Sequence, residues 1–264
     1  MPTYDFEGKV AFVTGAARGQ GRSHAVEFAK SGADVAVGDL RTDGGLAETA
    51  ELVEAEGQES LALEVDVSQL EAVRRAVDRI EDRFGQIDIL VNNAGVWEVA
   101  DPFEVDESTW DRTLDVNLKG AWLCAAEVAN RMAEQSSGGA IVNISSVAGL
   151  VGFPGSVHYS ASKHGIVGLT KTMAIEYASH GINVNAVCPG SVNTQMMRQG
   201  LADAQAQDTP PDFTGIAGSF NLFDEEDNPL TERDISEAVL WLSSEASKYV
   251  TGVTLPVDAG FSAK

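Results

Sequence analysis

What most constrains the fold of this chain is a regular alternation. Short, nearly continuous apolar runs rich in Val, Ile and Leu are each followed by a stretch with helical periodicity. The runs fall at 9–15 (KVAFVTG), 34–39 (DVAVGD), 60–65 (SLALEV), 88–95 (DILVNNAG), 140–146 (AIVNISS), 182–190 (INVNAVCPG) and 253–260 (VTLPVDAG). Between them, apolar positions Ala25, Val26, Phe28 and Ala29 mark a helix closed by Gly32, and further helices are expected at 46–56, 69–84, 108–134 (bent or interrupted), 160–179 and 232–244. Apolar strands joined by helices of that length read as a parallel sheet covered on both faces, because a right-handed crossover needs a long connection. The expectation is one doubly wound α/β domain over 1–264 with seven parallel strands. The segment 198–230 does not conform: Pro210, Pro211 and the acidic run from Asp224 to Asp227 read as an excursion beyond the carboxyl ends of the strands, where such sheets bind ligands and where a lid would sit.

Charge narrows the partners. Forty Asp and Glu against 18 Lys and Arg leave a formal charge of -22, which repels nucleic acid and anionic membranes. The acidic excess suits a salt-rich, halophilic cytoplasm and an ordinary acidic protein equally. Cys124 and Cys188 lie in apolar segments without metal-ligand spacing and read as small buried hydrophobes in a reducing compartment, with no metal implied. The chain opens without a basic, apolar export segment and has no apolar run near the ~20 residues of a membrane span, so the expected location is cytoplasmic.

The first strand runs into Gly15-Ala16-Ala17-Arg18-Gly19-Gln20-Gly21 at the start of a helix. Glycines there permit a tight turn and close backbone approach, so a diphosphate can meet the amide hydrogens of the helix N-terminus, as in a Rossmann-type fold. Asp39, at the end of the second strand, can accept hydrogen bonds from both ribose hydroxyls and would repel a 2'-phosphate, favouring NAD over NADP. Arg18 and Arg41 pull the other way.

With these motifs in view, the chain resembles a classical short-chain dehydrogenase/reductase along essentially its whole length. The resemblance rests on TGAARGQG (14–21), NNAG (92–95), Asn117 in DVNLKG, NISS (143–146), YSASK (159–163), PGSVNT (189–194) and the ending YVTGVTLPVDAG (249–260). It implies that Gly15, Arg18, Gly19, Gln20, Gly21, Asp39, Leu40, Asp66, Val67, Asn93, Ala94, Gly95, Tyr159, Lys163, Pro189, Gly190, Val192 and Thr194 bind the cofactor, with Asp66 and Val67 flanking the adenine. It implies that Asn117, Ser146, Tyr159 and Lys163 are catalytic, and that the protein is a homotetramer built on the helices at 108–134 and 160–179. The wording GAARGQGRSHA looks most like the carveol-dehydrogenase-like group. That group includes enzymes thought to hold NAD tightly and to pass electrons to an external redox partner. Some members carry a longer insertion after the second strand, where this chain has only RTDGG before Leu46.

The chemistry follows from the residue types. Tyr159 and Lys163 stand four apart on one helix face, so the ammonium can favour a phenolate. Such a phenol can take the proton of an alcohol during oxidation or give one to a carbonyl during reduction, while hydride moves between the carbinol carbon and nicotinamide. The resemblance further implies that Ser146 hydrogen-bonds the reacting oxygen and that Asn117 supports a water relay to Lys163. A serine hydrolase using Ser146 with His158 or His164 fails because neither Ser145 nor Ser146 sits on a Gly-X-Ser-X-Gly elbow. Trp97, Val147, Phe153, His158, Met196, Met197, Phe213, Phe220 and Phe223 suggest an apolar pocket for a cyclic or terpenoid secondary alcohol or ketone. His24 reads as a helix-face residue near the cofactor. A 3-oxoacyl-thioester reductase is the alternative within the same chemistry, weakened by Asp39 and by the acidic surface an acidic carrier would have to meet. A silent, cofactor-binding regulatory protein would need a broken Ser146/Tyr159/Lys163 set, and all three are present.

Overall fold

A computed structural model of the chain describes residues 4–40, 43–101, 103–205 and 230–263. Seven strands form one parallel sheet: β1 (Val10–Thr14), β2 (Asp34–Asp39), β3 (Ser60–Glu64), β4 (Ile89–Asn92), β5 (Gly139–Ile144), β6 (Ile182–Pro189) and β7 (Thr254–Val257), in the order β3-β2-β1-β4-β5-β6-β7. The helices are α1 (Gly19–Lys30), α2 (Gly45–Ala55), α3 (Leu70–Phe84), α4 (Glu107–Leu114), α5 (Gly120–Gln135), α6 (Val157–Tyr177), α7 (Gln195–Gln205) and α8 (Glu232–Ser243). This is a single Rossmann-type α/β domain.

Alternation along the strands divides the core. Ala11 and Val13 of β1 point to one face, where they join Val35 and Val37 of β2, Ala25 and Phe28 of α1 and Ile235 and Val239 of α8. Val10 and Phe12 point to the other, with Val77 and Ile80 of α3, Cys124 and Met132 of α5 and Met173 of α6. Two apolar layers clamp the sheet, which is why its strands are apolar on both faces.

The helices end where local chemistry stops them. Gly85 closes α3 in the left-handed conformation, φ 79°, and Thr231 and Asp234 form a reciprocal capping box at the start of α8. Three boundaries differ from the sequence expectation by three residues. The fourth run leaves the sheet at Asn92, because the Asn93 side chain turns back to bond the β1 turn. The last run leaves it at Val257, because Asp258 accepts hydrogen bonds from the Gly260 and Ser262 amides and starts a turn. Helix α6 begins at Val157, three residues early, which places Tyr159 in its first turn. The interruption expected in 108–134 is a π segment, Asp115–Lys119, between α4 and α5.

The strand order reverses direction at β1, so the loops leaving β1 and β4 part at their carboxyl ends and open a crevice. That crevice is the mouth of the site.

Candidate active site

A cavity of about 970 Å³ runs along the carboxyl ends of the strands. One end is shaped by the glycine turn. Gly15 has φ 67°, which favours glycine, and a Cβ there would lie 2.7 Å from Ala94 Cα. A Cβ on Gly21 would lie 2.2 Å from the Gly15 carbonyl oxygen and 2.6 Å from Asn93 Nδ2, so the turn and α1 close up only without side chains. Thr14 ties this turn to the loop after β4: its hydroxyl donates to the Val91 carbonyl (3.3 Å) and accepts from the amides of Asn93 and Ala94 (3.1 Å each). Asn93 Nδ2 answers by donating to the carbonyls of Thr14 and Gly15 at 2.9 and 3.1 Å. Asp39 accepts from the Ala17 amide (3.0 Å), which fixes its carboxylate at the end of β2 beside the turn.

All the residues expected to bind cofactor line this cavity: Gly15, Arg18, Gly19, Gln20, Gly21, Asp39, Leu40, Asp66, Val67, Asn93, Ala94, Gly95, Tyr159, Lys163, Pro189, Gly190, Val192 and Thr194. A glycine cradle, a fixed carboxylate and apolar walls from Leu40 and Val67 match the parts of a dinucleotide: phosphates, ribose and adenine. The buried Oε1 of Gln20 has no partner among the described residues, so the cradle holds a polar atom for a ligand or water to satisfy. Arg41 lies outside the described residues.

Ser146, Tyr159 and Lys163 stand together midway along the cavity wall. Lys163 is buried, its Nζ donating to the Ile144 carbonyl at 2.8 Å and lying 5.5 Å from the centre of the Tyr159 ring. Burial pushes this ammonium down to about 8, and pushes the Tyr159 phenol up to about 12, against the pull of its hydrogen bond with Ser146. Burial thus moves the phenol opposite to the direction expected from Lys163. Ser146 caps the short turn after β5, accepting from the Ala148 amide at 3.1 Å. Its neighbour Ser145 is turned inward to the Lys163 carbonyl (2.9 Å) and serves packing.

Asn117 stands behind the wall rather than on it. From the π segment its Nδ2 donates to the Val96 carbonyl (3.0 Å) and to Ser162 Oγ (3.1 Å), and its Oδ1 accepts from the Val96 amide (2.8 Å). Ser162 in turn donates to the Tyr159 carbonyl at 2.7 Å. A Cβ on Gly95 would come within 3.3 Å of Asn117 Oδ1 and 3.7 Å of Lys163 Nζ, so that glycine keeps open the gap where amide and ammonium meet.

The other end of the cavity is lined by Trp97, Val147, Phe153, Met196 and Met197, as expected for substrate contacts. His158 is not. It is fully buried behind the wall, beside the Glu98 backbone, because the first turn of α6 points it away while presenting Tyr159. Phe213, Phe220 and Phe223 lie outside the described residues. His24 is also fully buried, its Nδ1 2.8 Å from Ser236 Oγ on α8, and burial pushes it down to about 3. Sequence reasoning missed Arg112 and Glu232 on the cavity rim, whose helical spacing carries no motif. It also missed the roles of Thr14 and Ser162, although both lie inside the motifs that were read. The rim cations are engaged: Arg112 with Glu98 (3.7 Å), Arg198 with Asn193 (2.7 Å) and Arg18 with Gln195.

A nucleotide cradle beside a serine, a tyrosine and a buried lysine is the equipment of a redox enzyme that handles one proton per hydride. The family model for short chain dehydrogenases matches residues 9–205, and the chain belongs to that family as an NAD(P)-dependent oxidoreductase. Among its relatives, the (-)-trans-carveol dehydrogenase of Rhodococcus erythropolis is 39% identical over 98% of this chain and 99% of that one. A 3-oxoacyl-acyl-carrier-protein reductase of Staphylococcus epidermidis is 37% identical over 96% of this chain and 98% of its own. The crystal structure of carveol dehydrogenase from Mycobacterium avium in complex with NAD superposes with a TM-score of 0.90 at 39% identity, covering 99% of this chain and 100% of that one. Among the described residues no helix is long and apolar enough to cross a membrane, and no group of side chains could hold a metal ion.

Proposed function

We propose that this enzyme oxidises an apolar, cyclic or terpenoid-like secondary alcohol, or reduces the matching ketone, with NAD. The observation that carries the reading is the meeting of Ser146, Tyr159 and Lys163 on one wall between a glycine cradle and an aromatic pocket. The carveol dehydrogenase relatives, one of them solved with NAD, support both the cofactor and the substrate class. Asp39 supports NAD over NADP, since its carboxylate at the end of β2 would meet the 2'-phosphate of NADP with like charge.

Bound NAD supplies the hydride acceptor or donor and, when oxidised, a positive charge beside the phenol. The protein manages the proton. Ser146 holds the reacting oxygen. Tyr159 takes the hydroxyl proton during oxidation, its phenolate favoured by the Lys163 ammonium against the cost of burial. Asn117 holds the Val96 backbone and Ser162 in place behind that lysine, which supports a water relay past Gly95. The first turn of α7, with Met196 and Met197, walls the substrate end. Exposed Trp122 on α5 and Ile175 on α6 support pairing of these helices between copies in a homotetramer. The two buried, free cysteines accord with work in the cytoplasm. The acidic surface weighs against a carrier-protein substrate.

The test is turnover of secondary alcohols and ketones with NAD and with NADP, in the presence and absence of an artificial electron acceptor, with Tyr159→Phe as control. NAD-dependent turnover that Tyr159→Phe abolishes is the expected result. Turnover sustained only by the artificial acceptor would show that NAD stays bound and that an external redox partner regenerates it. Full activity in Tyr159→Phe would sink the mechanism.

A further inference from the structure

Trp97 is pinned at both ends of its indole. On one side Nε1 donates to Ser156 Oγ at 2.8 Å, and Ser156 is buried just before the first residue of α6. On the other side the backbone of α7 rests on the six-membered ring at Gly200. A Cβ on that glycine would lie 2.4 Å from Trp97 Cζ3, 2.7 Å from Cε3 and 2.8 Å from Cη2. Between these two points the ring centre stands 6.1 Å from that of Tyr159 and 6.1 Å from that of Phe153. Swinging the indole aside would strip its half-buried N–H of the Ser156 acceptor and open a void under α7, and both changes are costly. The ring therefore has one position, next to the residue that handles the substrate proton.

We infer that Trp97, held by Ser156 and Gly200, is the size gauge of the substrate end: the absence of a side chain at 200 decides where the indole stands, and the indole decides how bulky an alcohol can reach Tyr159. This rests on the secondary-alcohol reading above. It assigns specificity to a contact that no catalytic motif contains, since Gly200 and Ser156 lie outside the residues that carry the family resemblance.

The experiment measures kcat/KM with NAD for cyclohexanol and for a cyclohexanol bearing a branched alkyl group, in the unmodified enzyme, Gly200→Ala, Trp97→Ala and the double variant. Gly200→Ala should change the ratio of the two substrates by about tenfold, the discrimination that one methyl-sized change in an apolar pocket gives. Trp97→Ala should raise the bulky substrate relative to cyclohexanol. In the Trp97→Ala background, Gly200→Ala should then move the ratio by less than about twofold, because the two residues act through one contact. An unchanged ratio in Gly200→Ala, or an equal change in both backgrounds, overturns the inference. A second readout needs no turnover: the emission of Trp97, isolated by subtracting Trp97→Phe, should shift in both Gly200→Ala and Ser156→Ala, and an unmoved emission also overturns it. No turnover of any secondary alcohol by the unmodified enzyme would instead sink the reading on which the inference stands.

Discussion

The two ends of the cavity are made of different materials. At the nucleotide end, main-chain atoms and short side chains set the shape: Gly15 and Gly21 admit no Cβ, Thr14 and Asn93 bond to backbone, and Asp39 is held by the Ala17 amide. At the substrate end, large side chains set it, with Trp97 and Phe153 from one flank and Met196 and Met197 from α7. A wall of backbone tolerates almost no change, whereas a wall of side chains can be recut one residue at a time. The common chemistry is thus anchored at one end and the substrate chosen at the other.

The sharpest way to break this comparison is at the junction between the ends. Tyr159→Phe should lower kcat by about 100- to 10,000-fold, the usual worth of a positioned general acid or base, while the affinity for NADH, measured by fluorescence titration, stays unchanged. A large loss of cofactor affinity would mean that Tyr159 belongs to the nucleotide end. Next in size, Asp39→Ala should reduce kcat/KM with NAD by about ten- to a hundredfold, the cost of a lost charge-assisted hydrogen bond, and should narrow the gap to NADP. An unaltered cofactor preference would remove Asp39 from ribose recognition.

A third test probes the scaffold beneath the nucleotide end. His24 is pushed from an ordinary 6.5 down to about 3, so between those values the unfolded chain binds a proton that the folded chain refuses. Stability from this residue is therefore complete above pH 6.5 and falls as the pH drops, by at most about 1.4 kcal/mol per pH unit. Urea midpoints at pH 7 and pH 5 should differ more for the natural protein than for His24→Gln, and equal differences would count against a neutral, buried imidazole. The smallest effect belongs to the substrate end: Phe153→Ala should raise KM for an apolar alcohol a few-fold, about 1 kcal/mol of lost apolar contact, with KM for NAD unmoved.

The same division explains what could be read from the residues alone. The glycine turn, Asp39 and the Tyr159/Lys163 pair were legible because backbone approach and charge demand particular residue types at fixed spacing. All the residues expected to hold the cofactor do line the cavity. The substrate end was legible only in outline. Apolar side chains near strand ends look alike in sequence, so His158 seemed a pocket residue although the first turn of α6 carries it away from the cavity. Nor does any pattern announce that Gly200 touches Trp97, since that contact joins the loop after β4 to helix α7, about a hundred residues further along the chain. The overlong strands at 88–95 and 253–260 have a similar origin. Asn93 and Asp258 redirect the chain through side-chain bonds to backbone, which override the local preference for extension.

The π segment at Asp115–Lys119 gives the asparagine an unusual dependence. Such a turn is an α-helix carrying one residue more than its pitch allows, so it works as a phase shifter between α4 and α5. Deleting a neighbour of the asparagine such as Leu118 would let the segment close to a regular repeat, in which each residue turns about 100° from the last. Asn117 would then face away from Val96 and Ser162 without having been mutated. In this enzyme the register of one long helix, as much as the chemistry of an amide, decides whether the lysine has a neighbour.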